Sequence, residues 1–174
     1  STPGDETATL TITDNTNPRS KVVGANEITI STNAFGARSV FAADVDGDGD
    51  VDVLSGWFAG DKIVLYLNEG SNNFTEQTIS TNANGAHSVF AADVDGDGDV
   101  DVLSASWNDK KIALYVNDGS NNFTEQTIST NANKAVSVFA ADVDGDGDVD
   151  VLSASAGDNK IALYLNEGSN NFTE

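Results

Sequence analysis

The run ADVDGDGDVDVLS stands at residues 43–55, 92–104 and 141–153 without one change. In each copy five aspartates fall within nine residues, Asp44 to Asp52 in the first, with two glycines among them. Carboxylates this close repel one another by roughly 1 kcal/mol per adjacent pair in water and by more inside a protein. A cation removes that cost. Calcium takes about six to eight oxygen ligands at short range, from carboxylates, backbone carbonyls and water. In the spacing D-x-D-G-D-G-x-x-D the first, third, fifth and ninth side chains converge, and the seventh residue offers its carbonyl. The ligand sets are therefore Asp44, Asp46, Asp48 and Asp52 with the Asp50 carbonyl; Asp93, Asp95, Asp97 and Asp101 with that of Asp99; and Asp142, Asp144, Asp146 and Asp150 with that of Asp148. Gly47 and Gly49, with their counterparts, permit the tight and partly left-handed path such a loop needs.

An EF-hand would place a bidentate Glu at the twelfth position, between flanking helices. Here that position is Ser55, Ser104 or Ser153, and the flanks read as strands. Magnesium resists dehydration and demands a stricter octahedron, while transition metals prefer nitrogen or sulfur donors that these loops lack. The alternative is an acidic solvated turn holding no ion, and an unchanged threefold pattern argues against it. One calcium per repeat, three in total, at a strand-to-strand turn has a structural role, so binding contributes folding free energy.

The elements that position these loops repeat with them. The unit begins at Glu27, Glu76 and Glu125 with a period of 49 residues, and Glu174 opens a further one. Copies two and three differ at seven of 49 positions, copies one and two at twelve. A fixed period of this size signals repeats that bury one another's faces. Within the second unit four strands and no helix are expected: SVFAADV (88–94) with small residues at its centre, VDVLSAS (100–106), the alternating KIALYVN (111–117) and the more polar FTEQTIS (123–129). The links DGDG, WNDK, NDGSNN and TNANKA are turn-rich. Four antiparallel strands per unit match the blade of a β-propeller, so the fold class is all-β.

The DVDGDGDVDVL loop, the aliphatic strand after it and the YLNEGSNNF hairpin resemble the FG-GAP or VCBS repeat, the blade of integrin-α-type propellers and of many bacterial surface and secreted proteins. The resemblance covers residues 27–174 and divides them into blades at 27–75, 76–124 and 125–174. Upstream, ETATLTITDN (6–15) resembles the last strand of a Calx-beta domain, ending at residue 15, with residues 16–26 as a linker; an arbitrary Thr-rich strand reads as well. Three blades are fewer than the roughly four to eight that close a ring. Further blades at both ends, or self-association, would resolve this. A head-to-tail contact either closes or extends into a filament.

The copies disagree in two stretches. One sets Phe35, Gly36 and Arg38 against Asn84, Gly85 and His87, and against Asn133, Lys134 and Val136. The other sets GWFAGD (56–61) against ASWNDK (105–110) and ASAGDN (154–159). In a four-stranded meander both lie at the end away from the Asp loops, which predicts a constant metal end and a diversified opposite end, where binding concentrates. A ligand face there would use Arg38, Trp57, Phe58, His87 and Trp107, stacking on a glycan or anchoring a protein. The alternative is drift in solvent loops, with the aromatics packed between blades. Asn73, Asn122 and Asn171 each begin N-F-T, either a glycosylation acceptor or ordinary hairpin chemistry.

Formal charge is −20 with a pI near 4.1, so nucleic acid is a poor partner, as are anionic membranes. No apolar run approaches membrane-spanning length, so membrane insertion is not expected, and no cysteine offers a disulfide or thiol chemistry. One His and no Cys cannot build a nucleophile–base set, and calcium accounts for every recurring carboxylate cluster, so no enzyme is expected. The FG-GAP resemblance implies a calcium-binding extracellular or cell-surface module for adhesion or ligand binding. A self-assembling fibre or surface layer is the alternative, and a propeller accessory to a secreted enzyme is a third.

Overall fold

A computed structural model describes residues 27–173, so the readings of 1–15 and 16–26 lie outside the described residues. The fold is all-β, with three four-stranded antiparallel sheets and no helix among those residues. The first sheet holds β1 (Ala37–Ala43), β2 (Asp52–Trp57), β3 (Lys62–Asn68) and β4 (Phe74–Ser80) in sequence order. The second holds β5 (Ala86–Ala92), β6 (Asp101–Ser106), β7 (Lys111–Asn117) and β8 (Phe123–Ser129). The third holds β9 (Ala135–Ala141), β10 (Asp150–Ser155), β11 (Lys160–Asn166) and β12 (Phe172–Thr173). The 49-residue units cut at Glu76 and Glu125 fall inside β4 and β8, because the sheet, not the sequence phase, sets where a blade is complete.

The expected strands are present. The innermost one starts two residues earlier than the apolar run suggests, at Ala86, and stops at Ala92 rather than Val94. It stops there because Asp93 folds its carboxylate back onto the amides of Gly96 and Gly98, at 2.8 and 3.0 Å, which turns the chain out of the ladder.

Alternation along each strand gives every blade two apolar faces. Leu54, Ile63 and Leu65 leave the first blade fully buried and meet Ala86, Val89, Val102 and Tyr115 of the second. Leu103, Ile112 and Leu114 repeat that contact on Ala135, Val138, Val151 and Tyr164 of the third. The innermost strands also pack Phe41 against Phe90 and Phe90 against Phe139, with tilted rings whose centroids are 4.6 and 4.5 Å apart. Polar contacts keep the same register: Val89 N donates to Ser39 Oγ and Val138 N to Ser88 Oγ, at 3.2 and 3.3 Å. Gln77 and Gln126 reach the next blade's hairpin, donating to the carbonyls of Asn121 and Asn170, each at 2.6 Å.

Two of the three core clusters therefore lie between blades, and the third, Trp57, Val64 and Tyr66, lies on the first blade. Truncating Leu103 to Ala is expected to cost about 2–5 kcal/mol, as for other buried leucines. Truncating the first blade's Val40, which is 72% exposed, is expected to stay within about 0.5 kcal/mol in dilute solution. Urea melts of the two variants check this, and equal losses would contradict the packing.

Candidate metal centres

Each Asp loop joins the two inner strands of a blade, and its aspartates do two different jobs. The ninth, Asp52, Asp101 or Asp150, is buried and locked onto backbone amides. Asp52 Oδ2 accepts from Val45 N and its Oδ1 from Asn68 N, both at 2.8 Å. Asp101 does the same with Val94 and Asn117, and Asp150 with Val143 and Asn166. One carboxylate thus closes its own loop and ties it to the end of the third strand. The others curl around the loop amides: Asp44 accepts from Gly49 N, Asp46 from Asp48 N and Asp48 from Asp50 N. Both loop glycines carry positive φ, 74° and 96° at Gly47 and Gly49, and a Cβ at either would meet nothing within 4 Å. Their requirement is conformational rather than steric.

Three carboxylates converge in each loop, a part of each expected set of four. Asp44, Asp46 and Asp48 place ligand oxygens within 4.8 Å of one another, as do Asp93, Asp95 and Asp101, and Asp142, Asp144 and Asp146. The second cluster brings in the buried ninth residue and leaves out Asp97, whereas the first and third leave out Asp52 and Asp150. Asp50, Asp99 and Asp148 stand outside these clusters. Their carboxylates lie beside the hairpin glycines Gly70, Gly119 and Gly168.

An all-oxygen donor set of this density fits a hard divalent cation, and two features of the loops agree with that. Asp44 Oδ1 is buried without a hydrogen-bond partner. Burial pushes the Asp101 carboxyl up to about 6, with Asp95 and Asp97 adding to the rise against two stabilising amides. Burial also raises Asp46, Asp95 and Asp144, again with neighbouring aspartates contributing. Three clusters can each hold a metal ion.

The loops also reach into the blade contacts. Val45 and Val94, the second residues of their loops, are buried in the interblade cores. Asn117 Nδ2 donates to the Val45 carbonyl at 3.4 Å and to Val100 O at 3.2 Å, and Asn166 repeats this on Val94 and Val149 at 3.2 Å each. This asparagine, in the NDG or NEG of the hairpin, was not singled out by sequence, although it recurs in all three copies.

At the opposite end Arg38, Phe58, His87 and Trp107 form one continuous row across two blades. Arg38 Cζ lies 4.8 Å from the Phe58 ring centroid. Phe58 meets His87 edge-on at 6.2 Å, and His87 stacks on Trp107 at 5.8 Å. Lys134 of the third blade caps the far side of Trp107 at 5.4 Å. His87 Nδ1 also lies 3.0 Å from the Val136 carbonyl. Trp57 does not join the row. It is 3% exposed and packs against Val64 and Tyr66 on the inward side of β2, with Lys62 over its ring. The repeat register carries the signal: Trp57 aligns with the buried Ser106 and Ser155, whereas Phe58 aligns with Trp107 in the turn. Lys134 is the member that sequence reasoning left out. Asn73, Asn122 and Asn171 are exposed in the hairpins, and the positive φ belongs to the residue before each, near 60° at Asn72, Asn121 and Asn170.

The model of the FG-GAP-like repeat family matches residues 44–104 and 93–153, each match running from one Asp loop through the next. The chain belongs to this family. Among solved structures, the FG-GAP chain is similar to a lectin from Agrocybe aegerita described as recognising non-reducing terminal N-acetylglucosamine. They share 22% identity and a TM-score of 0.56, over 78% of this chain and 37% of the lectin. A virginiamycin B lyase from Staphylococcus aureus aligns at 16% identity and a TM-score of 0.45, over 80% of this chain and 45% of that one. The chain spans less than half the length of either. No curated protein matches it. No helix of the described residues is long and apolar enough to cross a membrane.

The raised Asp101 carboxyl has a definite pH signature. Between about 6 and its ordinary value of 3.8 the folded metal-free state holds a proton that the unfolded chain has released. Lowering the pH from 7 to 5 is therefore expected to stabilise the chelated protein through this group, and Asp101→Asn to remove part of that gain. Thermal melts in chelator across this range test it; a loss of stability on the way from 7 to 5 would contradict it. With metal present the sign reverses, because protons compete for the same oxygens, so metal affinity is expected to fall below about pH 6.

Proposed function

We propose that the chain is a calcium-stabilised extracellular module for ligand binding or adhesion. Calcium holds the blades in register at one end, and a glycan carrying acidic groups is bound at the other. The observation that carries this reading is the confinement of the cations to one end of the blades. All the described lysines and the arginine (Arg38, Lys62, Lys110, Lys111, Lys134 and Lys160) lie at the end opposite the Asp loops, at the starts of strands or in the turns before them.

Calcium is favoured over other ions by the all-carboxylate and carbonyl donor set, with no nitrogen or sulfur at the loops. Residues of this chain would do the rest. Asp44, Asp46, Asp48 and Asp52, with their counterparts, hold the ion, and the ion neutralises their mutual repulsion. A held loop fixes Val45 or Val94 in the interblade core and keeps its carbonyl on the next blade's asparagine. Calcium is thereby a structural ion acting between blades, and no catalytic role falls to it.

At the other end Arg38 and Lys134 are exposed and cap aromatic rings, and neither makes an ion pair among the described residues. Lys111 differs, being buried and paired with Glu125 at 2.6 Å. A cation held over a ring has a fixed position and keeps its donors for an anion, while the ring edges offer apolar surface to a sugar. The lectin sharing this fold supports a sugar as the ligand, and the family supports a surface or secreted setting.

Two measurements test this reading. Excess chelator is expected to lower the melting temperature by many degrees, and an unchanged melt would remove the structural role of calcium. On an array of neutral and acidic glycans, the calcium-loaded chain is expected to retain acidic members. Arg38→Ala with Lys134→Ala is expected to weaken that retention by about tenfold or more at unchanged melting temperature. Retention indifferent to both substitutions would overturn the assignment of this face.

A further inference from the structure

The row at the end away from the Asp loops stands on an irregularity that every sheet repeats. In the first blade Ala37 pairs with Trp57 and Ser39 with Gly56, so Arg38 is an extra residue with no partner across the ladder. In the second, Ala86 pairs with Ser106 and Ser88 with Ala105, which leaves out His87. In the third, Ala135 pairs with Ser155 and Ser137 with Ala154, which leaves out Val136. Such a bulge bends its strand and re-aims the extra side chain. The residues on either side of it are Ala and Ser in every copy, while the bulged residue is in turn Arg, His and Val. One backbone device is therefore kept, and what it presents differs from blade to blade.

The bulge of the third blade orients the side chain from the bulge of the second. Val136, unpaired across its own ladder, offers its carbonyl to His87 Nδ1 at 3.0 Å. A carbonyl only accepts, so in the neutral ring Nδ1 carries the hydrogen and Nε2 keeps its lone pair. Trp107 stacks on the same ring with centroids 5.8 Å apart, and Phe58 meets it edge-on at 6.2 Å. Three contacts thus hold the imidazole. The one polar atom they leave open is Nε2, which has no partner among the described residues and is not buried.

That open acceptor stands in the middle of the row, between groups that only donate. Arg38 lies over Phe58 at 4.8 Å on one side, and Lys134 over Trp107 at 5.4 Å on the other. Guanidinium and ammonium groups have no acceptor, and an ionised carboxylate has no donor. An anion therefore satisfies the two cations and leaves Nε2 unpaired. A hydroxyl or an amide N–H satisfies it.

We infer that His87 is the specificity-determining residue of this face, its Nε2 accepting a hydrogen bond from an uncharged hydroxyl or amide N–H of a sugar lying between the two cations. The ligand class narrows to an acidic oligosaccharide whose charged groups flank a neutral unit with an unsubstituted donor. This rests on the acidic-glycan reading of the face and adds to it the group that is read between the charges. Cations and rings alone would accept any acidic sugar of the right length. The histidine disfavours one whose hydroxyls are capped, because Nε2 then gives up water and gains no partner.

An array of acidic glycans, printed as free-hydroxyl and as hydroxyl-methylated forms with the acidic groups intact, tests this on the calcium-loaded chain. Wild type is expected to prefer the free-hydroxyl forms by about fivefold, the worth of one hydrogen bond between neutral groups. His87→Phe keeps a ring in the stack and removes both nitrogens, and it is expected to bind the two forms alike at an unchanged melting temperature. A second measurement needs no substitution. His87 is the only histidine of the chain, so its ring gives a single pair of nitrogen NMR signals. In alkaline buffer the free protein is expected to carry the hydrogen on Nδ1, and a retained glycan to shift the Nε2 signal far more than the Nδ1 signal. Wild type retaining both forms equally would overturn the inference and leave the acidic-glycan reading standing. The same holds for a preference that His87→Phe keeps, which is a matter of bulk, and for a free ring with its hydrogen on Nε2. Retention of no acidic glycan in either form would overturn both.

Discussion

A four-stranded sheet of six- and seven-residue strands has two faces and no interior, so a single blade cannot bury what its alternating sequence makes apolar. Every other feature follows from that constraint. The first two blades each spend Leu, Ile and Leu on the one that follows, and the second and third receive the same three on a smoother surface of Val, Ala and Tyr. The asymmetry of large on one face and small on the other lets identical units stack without a clash, and it fixes the order in which they stack. It also explains why the copies are nearly identical where they pack, since a change on one face must be answered on another.

The acidic loops serve the same contact from its end. Burying Asp52, Asp101 and Asp150 costs desolvation, offset by two backbone amides to each carboxylate. Burial pushes the Asp101 carboxyl up to about 6, and the surrounding aspartates add to that rise. A bound cation, as proposed, would turn the crowding from a penalty into a clamp. Because Val45 and Val94 sit inside the loops and inside the interblade cores together, ordering a loop and seating a blade are one event. The far end has no such duty. Its turns are free to diverge, and there the acidic chain carries its cations and the aromatic row from Phe58 to Trp107.

Much of this was legible in the residues themselves. Period-two alternation marked the strands, the unbroken Asp spacing marked the clusters, and the meander rule placed the variable stretches at the opposite end. Local pattern failed where the answer depended on a neighbour. Trp57 and Phe58 are adjacent and both aromatic, but one points into the sheet and the other out of the turn, which is decided by the register of β2 against its partners. Lys134 meets Trp107, and Asn117 meets Val45, only because one blade lies on another.

The sequence by itself determined the unit, its period, where the acidic clusters form and which end of the blade varies, because each of these is written in spacings of a few residues or in exact repetition. Only the tertiary structure decided which copies of a repeated residue are buried. Ile63, Ile112 and Ile161 are the same residue in the same local sequence, and the last differs in one respect, that no blade of the described residues stands against it. Burial is a relation between surfaces brought together through space, and identical strings cannot record on which side their neighbour is missing.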